Sequence, residues 1–137
     1  MKNQIRSFVM GAGLAALLSS PMLVAQTAET AEIPFDFHAG KSTLPAGTYA
    51  VAKNMASGVL QLRNEDTNSS ILLGAQGRHE GEDSAKLTFR CYSGDCFLSE
   101  VSIPGSPSYT FWKTAQEKEL EKGGAKLAMA YVPLATR

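Results

Sequence analysis

Two cysteines, Cys91 and Cys96, have the sharpest claim on chemistry in this chain. They bracket Tyr92-Ser93-Gly94-Asp95. With Ser93-Gly94 as a two-residue turn, Tyr92 faces Asp95 and Cys91 faces Cys96. The second pair out from such a turn is a non-hydrogen-bonded one, whose Cα atoms approach to ~4.5 Å, within disulfide reach. A redox-active couple favours Cys-x-x-Cys beside a βαβ unit, and the sequence has neither. The pair reads as a structural disulfide stapling a hairpin. So short a loop adds only about 2 kcal/mol by chain entropy.

His38 and His79 are the two histidines. Zinc needs three or four ligands at compatible spacing, and no His-x-x-x-His or Cys/His set accompanies them, so no metal is expected. Gly77 to Ser84 is rich in acid, but it lacks the Asp-x-Asp-x-Asp-Gly spacing that wraps calcium. No Gly-x-Ser-x-Gly elbow is present, and neither histidine has an evident serine and carboxylate frame. Glu65 and Asp66 sit in a polar turn, where water keeps carboxylates ordinary. Gly123-Gly124 follows a helix rather than opening one, so there is no phosphate loop and no cofactor is expected. These absences read as a protein that is not an enzyme.

The cluster Tyr109, Phe111 and Trp112 is the best candidate for a binding surface, because an aromatic face stacks on a sugar or anchors a partner. The competing reading is the favoured one: Phe111, with Tyr109 on its face, fills the core of a small domain.

The elements that must carry these residues are mostly strands. Ile33 to His38 alternates with period two, placing Ile33, Phe35 and Phe37 on one face. Leu44-Pro45-Ala46-Gly47 is a turn, and Thr48 to Ala52 follows as a strand. Val59 to Arg63 buries Leu60 and Leu62. Ser69 to Gln76 buries Ile71, Leu73 and Ala75. Ala85 to Tyr92 points Leu87, Phe89 and Cys91 one way and Lys86, Thr88 and Arg90 the other. Its hairpin partner, Cys96 to Ile103, then puts Phe97 and Val101 on the face of Arg90 and Lys86. Either both faces are covered, or a bulge re-aims the later residues.

Ser108 to Lys113 reads as one more strand. Thr114-Ala115-Gln116-Glu117 is a capping box, which opens a helix over Ala115 to Lys122 that Gly123-Gly124 stops. With Ala115 and Leu120 alone to bury, this helix is expected on the surface. Lys126 to Val132 is the last strand, broken by Pro133. The pattern predicts an all-β fold, an antiparallel β-sandwich or small barrel of about seven to eight short strands with one short C-terminal helix.

Lys2 and Arg6 precede an uncharged apolar run from Ser7 to Leu18. Ser19-Ser20-Pro21 breaks it, and Ala25 offers a cleavage site. That is the layout of a cleavable secretory signal peptide, 1–25. The run falls short of the ~20 residues a spanning helix needs, so no membrane span is expected once it is removed. A spacer, 26–32, leads to a single β-rich domain, 33–137.

The full chain has 13 basic and 13 acidic residues; losing Lys2 and Arg6 leaves the exported part with two fewer bases than acids. Such balance gives no case for nucleic acid. A periplasmic or extracellular location makes a disulfide the default for an isolated cysteine pair.

Three segments resemble a known group. They are Ile33-Pro34-Phe35-Asp36-Phe37 with Gly40 and Leu44-Pro45-Ala46-Gly47-Thr48-Tyr49; Gly58 to Asn64; and Lys86-Leu87-Thr88-Phe89 leading to Phe97-Leu98-Ser99-Glu100-Val101. Glu117-Lys118-Glu119-Leu120 fits the same pattern. The chain is similar to a widespread family of small exported bacterial proteins with a "PFDF…G…LPAGTY" opening, an "FLS" strand and a charged "E-x-E-L" helix. The resemblance implies export and carries no activity.

The expected function is that of a non-catalytic exported β-domain in envelope or extracellular structure or interaction, with an envelope protein or surface glycan as partner. The alternative is a small-ligand or carbohydrate binder, and a hydrolase comes last. A hydrolase would have to show a cleft holding His38 or His79 beside a nucleophile.

Overall fold

Alternating apolar and polar residues between frequent turns make strands that each bury one face. The structure, a computed structural model, describes residues 29–54, 57–81 and 83–136. The expected signal peptide and the first spacer residues lie outside them. Five strands form the smaller sheet: β1 (Glu29–Ile33), β4 (Gly47–Asn54), β5 (Val59–Asn64), β6 (Ser70–Gly74) and β12 (Ala135–Thr136), in the order β12-β1-β4-β5-β6. The larger sheet runs through β11 (Leu127–Pro133), β8 (Lys86–Tyr92), β9 (Asp95–Ser102), β10 (Ser108–Thr110) and β7 (Gly77–His79) in that order. A hairpin of β2 (Phe37–Ala39) and β3 (Ser42–Leu44) joins it, with β2 parallel to the start of β9.

Both sheets end in edges, so the all-β fold is an open sandwich and not a closed barrel. Ile33, Tyr49, Val51, Leu60 and Leu62 of one sheet meet Phe37, Leu87, Phe89, Leu98, Val101 and Tyr109 of the other in a single core. Phe89 is its hub: the rings of Phe35 and Phe37 meet it edge-on at 5.1 and 5.4 Å.

The strand count exceeds the expected seven to eight because two- and three-residue strands carry too little periodicity to show in sequence. The run from Ile33 to His38 is not one strand. Glu29 to Glu32, expected as spacer, make most of β1, and Pro34-Phe35-Asp36 carries the chain across to β2 in the other sheet. Gly77 to His79, the start of the acid-rich stretch in which the sequence shows no strand, form β7 against β10. Pro133 sits inside β11 rather than ending the strand before it.

Cys91 and Cys96 form the hairpin disulfide, with Cα atoms 4.0 Å apart. Ser93 and Gly94 both take positive φ, 50° and 95°, as a tight two-residue turn requires. Beyond the hairpin both expected alternatives hold. Between Thr88 and Phe89 the register jumps, so Leu87 faces Val101 while Phe89 faces Leu98. The extra residue is Ser99, whose hydroxyl donates to the Thr88 carbonyl at 3.0 Å. The bulge turns Val101 inward. Phe97 stays on the outer face opposite Arg90, and that face is covered as well.

The cover is α1 (Ala115–Lys122), the helix the sequence places there. Thr114 caps it, accepting from the Glu117 N–H at 3.2 Å. The reciprocal half of the capping box is missing, because the Glu117 carboxylate is drawn to Arg90 instead. Nor are Ala115 and Leu120 the buried residues: Ala115 is exposed and Glu117 is fully buried.

Candidate functional site

Phe111 through Thr114 link β10 to α1 along the outer side of the larger sheet. Tyr109 and Phe111, two residues apart, point into the core, at 1% and 8% exposure. Trp112 between Phe111 and the helix cap points the other way and is 69% exposed. The aromatic cluster is therefore split: two members pack the core and one stands in solvent. Gln76 fixes this segment, donating from its backbone N–H to the Thr110 carbonyl at 3.0 Å and accepting at Oε1 from the Trp112 N–H.

A hollow lies on either side of Trp112. The first, about 500 Å³, opens between β6 and the β2–β9 seam and is roofed by the start of α1. Leu72, Leu73 and Phe97 wall it, Leu72 being 70% exposed. His38, Lys41, Gln76 and Gln116 supply its polar groups. Gly40 borders it with φ of 60°, and a Cβ there would come within 3.0 Å of Leu73 Cδ2. The positive φ favours glycine, and a side chain there would press on the Leu73 methyl. The volume and the mixture of apolar wall with a few polar groups fit a small-molecule cleft. The second hollow, about 630 Å³ and more open, runs toward Met129 over Thr88 and Thr110, with Lys113 and Lys118 at its rim.

Beneath the helix, Arg90 and Glu117 form a bidentate pair at 2.5 and 3.1 Å, and Arg90 also donates to the Phe111 carbonyl at 3.1 Å. This clamp holds both α1 and the Trp112 segment against the sheet. Tyr92 is fully buried beside it, its hydroxyl without a hydrogen-bond partner. Burial, and then the nearby Glu117 charge, raise its pKa above the usual phenol value. At the surface, the Glu121 carboxylate 2.5 Å from Lys113 raises that ammonium's pKa.

The histidines lie apart. His79 Nε2 is 3.1 Å from the Glu100 carboxylate, which also accepts from Ser102 at 3.1 Å. The carboxylate is in the middle, so no hydroxyl is activated by the imidazole. His38 stacks on Phe97 with centroids 4.6 Å apart and lines the first hollow. Its Nδ1 is 3.0 Å from the Thr43 hydroxyl, and its Nε2 is 3.8 Å from Asp95.

The order hydroxyl, imidazole, carboxylate was not visible in sequence, because cross-strand pairing of His38 with Thr43 creates it. The Asp95 contact is too long for a hydrogen bond. Thr43 is exposed on β3 and is not a wall of the hollow. Among the described residues no group of three or more His, Cys, Asp or Glu could hold a metal ion, and no helix is long and apolar enough to cross a membrane.

Comparison of the chain with family models, with curated proteins and with solved structures finds no match, so the geometry around Trp112 has to speak for itself.

Proposed function

We infer that this chain is an exported, non-catalytic β-domain that binds at the Trp112 surface, with a sugar ring of a surface glycan as the ligand. One observation carries the reading: a large aromatic side chain stands exposed at the mouth of a cleft, held there by Gln76 and the Arg90–Glu117 clamp. A flat apolar face flanked by amide and ammonium groups matches a pyranose, which has apolar C–H faces and hydroxyls at its edge. Lys41 and Gln116, both exposed, are placed to meet that edge.

Export is supported by the basic-apolar-small layout of residues 1–25 and by a disulfide compatible with an oxidising compartment. The likeness to small exported bacterial proteins points the same way.

The test is a panel of hexose, hexosamine and uronic acid oligosaccharides followed by amide chemical shifts. Binding is expected to move the Phe111 to Gln116 and Leu72 to Gln76 signals and to disappear in Trp112→Ala. Shifts elsewhere, or none with any member, would remove the glycan reading. The hydrolase reading has one observation in its favour, the Thr43–His38 contact at 3.0 Å. Hydrolysis of a panel ester or glycoside that is lost in both His38→Ala and Thr43→Val would establish it and displace the non-catalytic reading.

A further inference from the structure

β11 forms one border of the larger sheet, paired to β8 alone. Which of its backbone groups face outward follows from the register. The Leu134 N–H donates to the Ala85 carbonyl at 3.0 Å, so the even-numbered positions Ala128, Ala130 and Val132 exchange hydrogen bonds with Cys91, Phe89 and Leu87. The disulfide agrees: a Cα separation of 4.0 Å marks Cys91–Cys96 as a non-hydrogen-bonded pair, which turns the Cys91 backbone groups toward β11. The N–H and C=O groups of Leu127, Met129 and Tyr131 therefore point off the sheet. Pro133 is next in that series, the one position where a strand loses nothing by lacking an N–H.

The side chains of these same three residues are exposed, at 52%, 45% and 59%. No charge interrupts the strand from Leu127 to Pro133. Edges are commonly guarded by lysine, proline, brevity or bulges. β11 has Pro133 at its end and the Lys86 ammonium of β8 at 5.0 Å from the Tyr131 ring centre, and no such guard from Leu127 to Ala130. Other edges are guarded by brevity: β12 and β7 are two and three residues long. β6 bonds to β5 through its odd-numbered positions, as Asn64 N to the Ser69 carbonyl and Ala75 N to the Gly58 carbonyl show. It presents Ser70, Leu72 and Gly74 outward, one apolar side chain in three.

We propose that β11 pairs antiparallel with β11 of a second copy, about a two-fold axis at Met129. That register sets Leu127 against Tyr131 of the other copy, Met129 against its counterpart, and Tyr131 against Leu127. Each pair exchanges both backbone hydrogen bonds. A shift by one residue presents groups already bonded to β8. A shift that centres Tyr131 puts Met129 against Pro133, which cannot donate. Two-residue slides set Leu127 against Pro133 or Tyr131 against Ala125, so the register centred on Met129 alone pairs all three outward residues with one another, and an uncharged strand meets an uncharged strand.

One long bare edge per copy closes the assembly at two. The half-exposed side chains and strand edges place the contact at the low end of specific interfaces, roughly 1,000 Å². A reversible micromolar dimer suits that size.

Sedimentation velocity of the purified exported chain from ~1 to ~200 µM should show monomer giving way to dimer across that range, a dissociation constant near ~10 µM corresponding to about −7 kcal/mol. Met129→Lys should stay monomeric throughout with an unchanged melting temperature. The register has its own readout. Met129→Cys should form an intermolecular disulfide with itself, whereas Leu127→Cys should do so only when mixed with Tyr131→Cys. A monomer at every concentration, or Leu127→Cys linking to itself as readily as Met129→Cys, would overturn the pairing. The glycan reading rests on the first hollow, which Leu127, Met129 and Tyr131 do not line, so either result leaves it to its own test.

Discussion

The outer side of the larger sheet has two parts that treat charge and hydrocarbon in opposite ways. Under α1, a charge is taken out of water: Glu117 is buried with Tyr92 and Phe97, and Arg90 reaches it from the sheet. On β11 beside it, the exposed groups are Leu127, Met129 and Tyr131. A helix that covers a sheet ordinarily brings an apolar stripe. Here its one buried side chain is a carboxylate, so the helix is held by a charge pair and two hydrogen bonds to one guanidinium. The comparison teaches that α1 contributes a carboxylate and no apolar stripe to its contact with the sheet, while β11 leaves three large apolar side chains outside. A clamp fixes a position, which is what an exposed Trp112 at the helix start needs.

The largest effect should come from breaking the clamp. Arg90→Ala leaves Glu117, fully buried, without its partner, and a stranded buried charge costs about 3–5 kcal/mol. Urea denaturation should show it as a fall in midpoint, and Glu117→Ala should cost less because Arg90 is 17% exposed and can reach water. Combining Arg90→Met with Glu117→Leu should restore most of the loss if the site is replaceable by packing. A single-variant cost below ~1 kcal/mol would place the pair among surface ion pairs, no different in kind from Lys113–Glu121.

Next comes the staple under the same face. Cys91→Ala with Cys96→Ala should lower stability by about 2 kcal/mol while leaving the strand content seen by circular dichroism.

A smaller and opposite effect is expected at Tyr92. Its hydroxyl is buried without a partner, so Tyr92→Phe should be neutral or stabilise by about 1 kcal/mol. The pH dependence sharpens this. The folded pKa lies above the unfolded value of 10.0. Above that pH the unfolded chain ionises first and binds fewer protons than the folded one, so stability present below pH 10 is lost as pH rises. Tyr49, also raised, contributes to the same limb. Tyr92→Phe should shallow the alkaline slope in a melting series from pH 9 to 11, and an unchanged slope would show that Tyr92 does not drive it.

The smallest change in stability belongs to the open side. Trp112→Ala should stay within ~0.5 kcal/mol, as surface substitutions do. A larger loss would mean that Trp112 is a packing residue after all.

The fold class and the hairpin were legible because they rest on local signals: period two, Ser93-Gly94, and a capped helix ended by two glycines. The split between Phe111 and Trp112 is also a matter of period two, legible once the strand is known to end there. The inverted burial was not legible. Glu117 at the third helical position reads as half of a capping box, and only the approach of Arg90 from another strand redirects it.

β11 misleads for a related reason. Leu127, Met129 and Tyr131 have the size and spacing of a core face, yet they point outward. Their register with β8 puts Ala128, Ala130 and Val132 beside Cys91, Phe89 and Leu87. Those larger side chains already fill the space between the sheets, so only small neighbours fit. The hollow beside Trp112 joins β2, β6, β9 and α1, and no stretch of sequence contains it.

Trp112 is the single tryptophan of the chain, so its fluorescence reports the candidate site and nothing else. Titration with the oligosaccharide panel should give a saturable blue shift as a ring covers the indole, competed by excess free sugar. An emission maximum that stays at the water-exposed value at every concentration, with every panel member, would contradict a binding role for this surface.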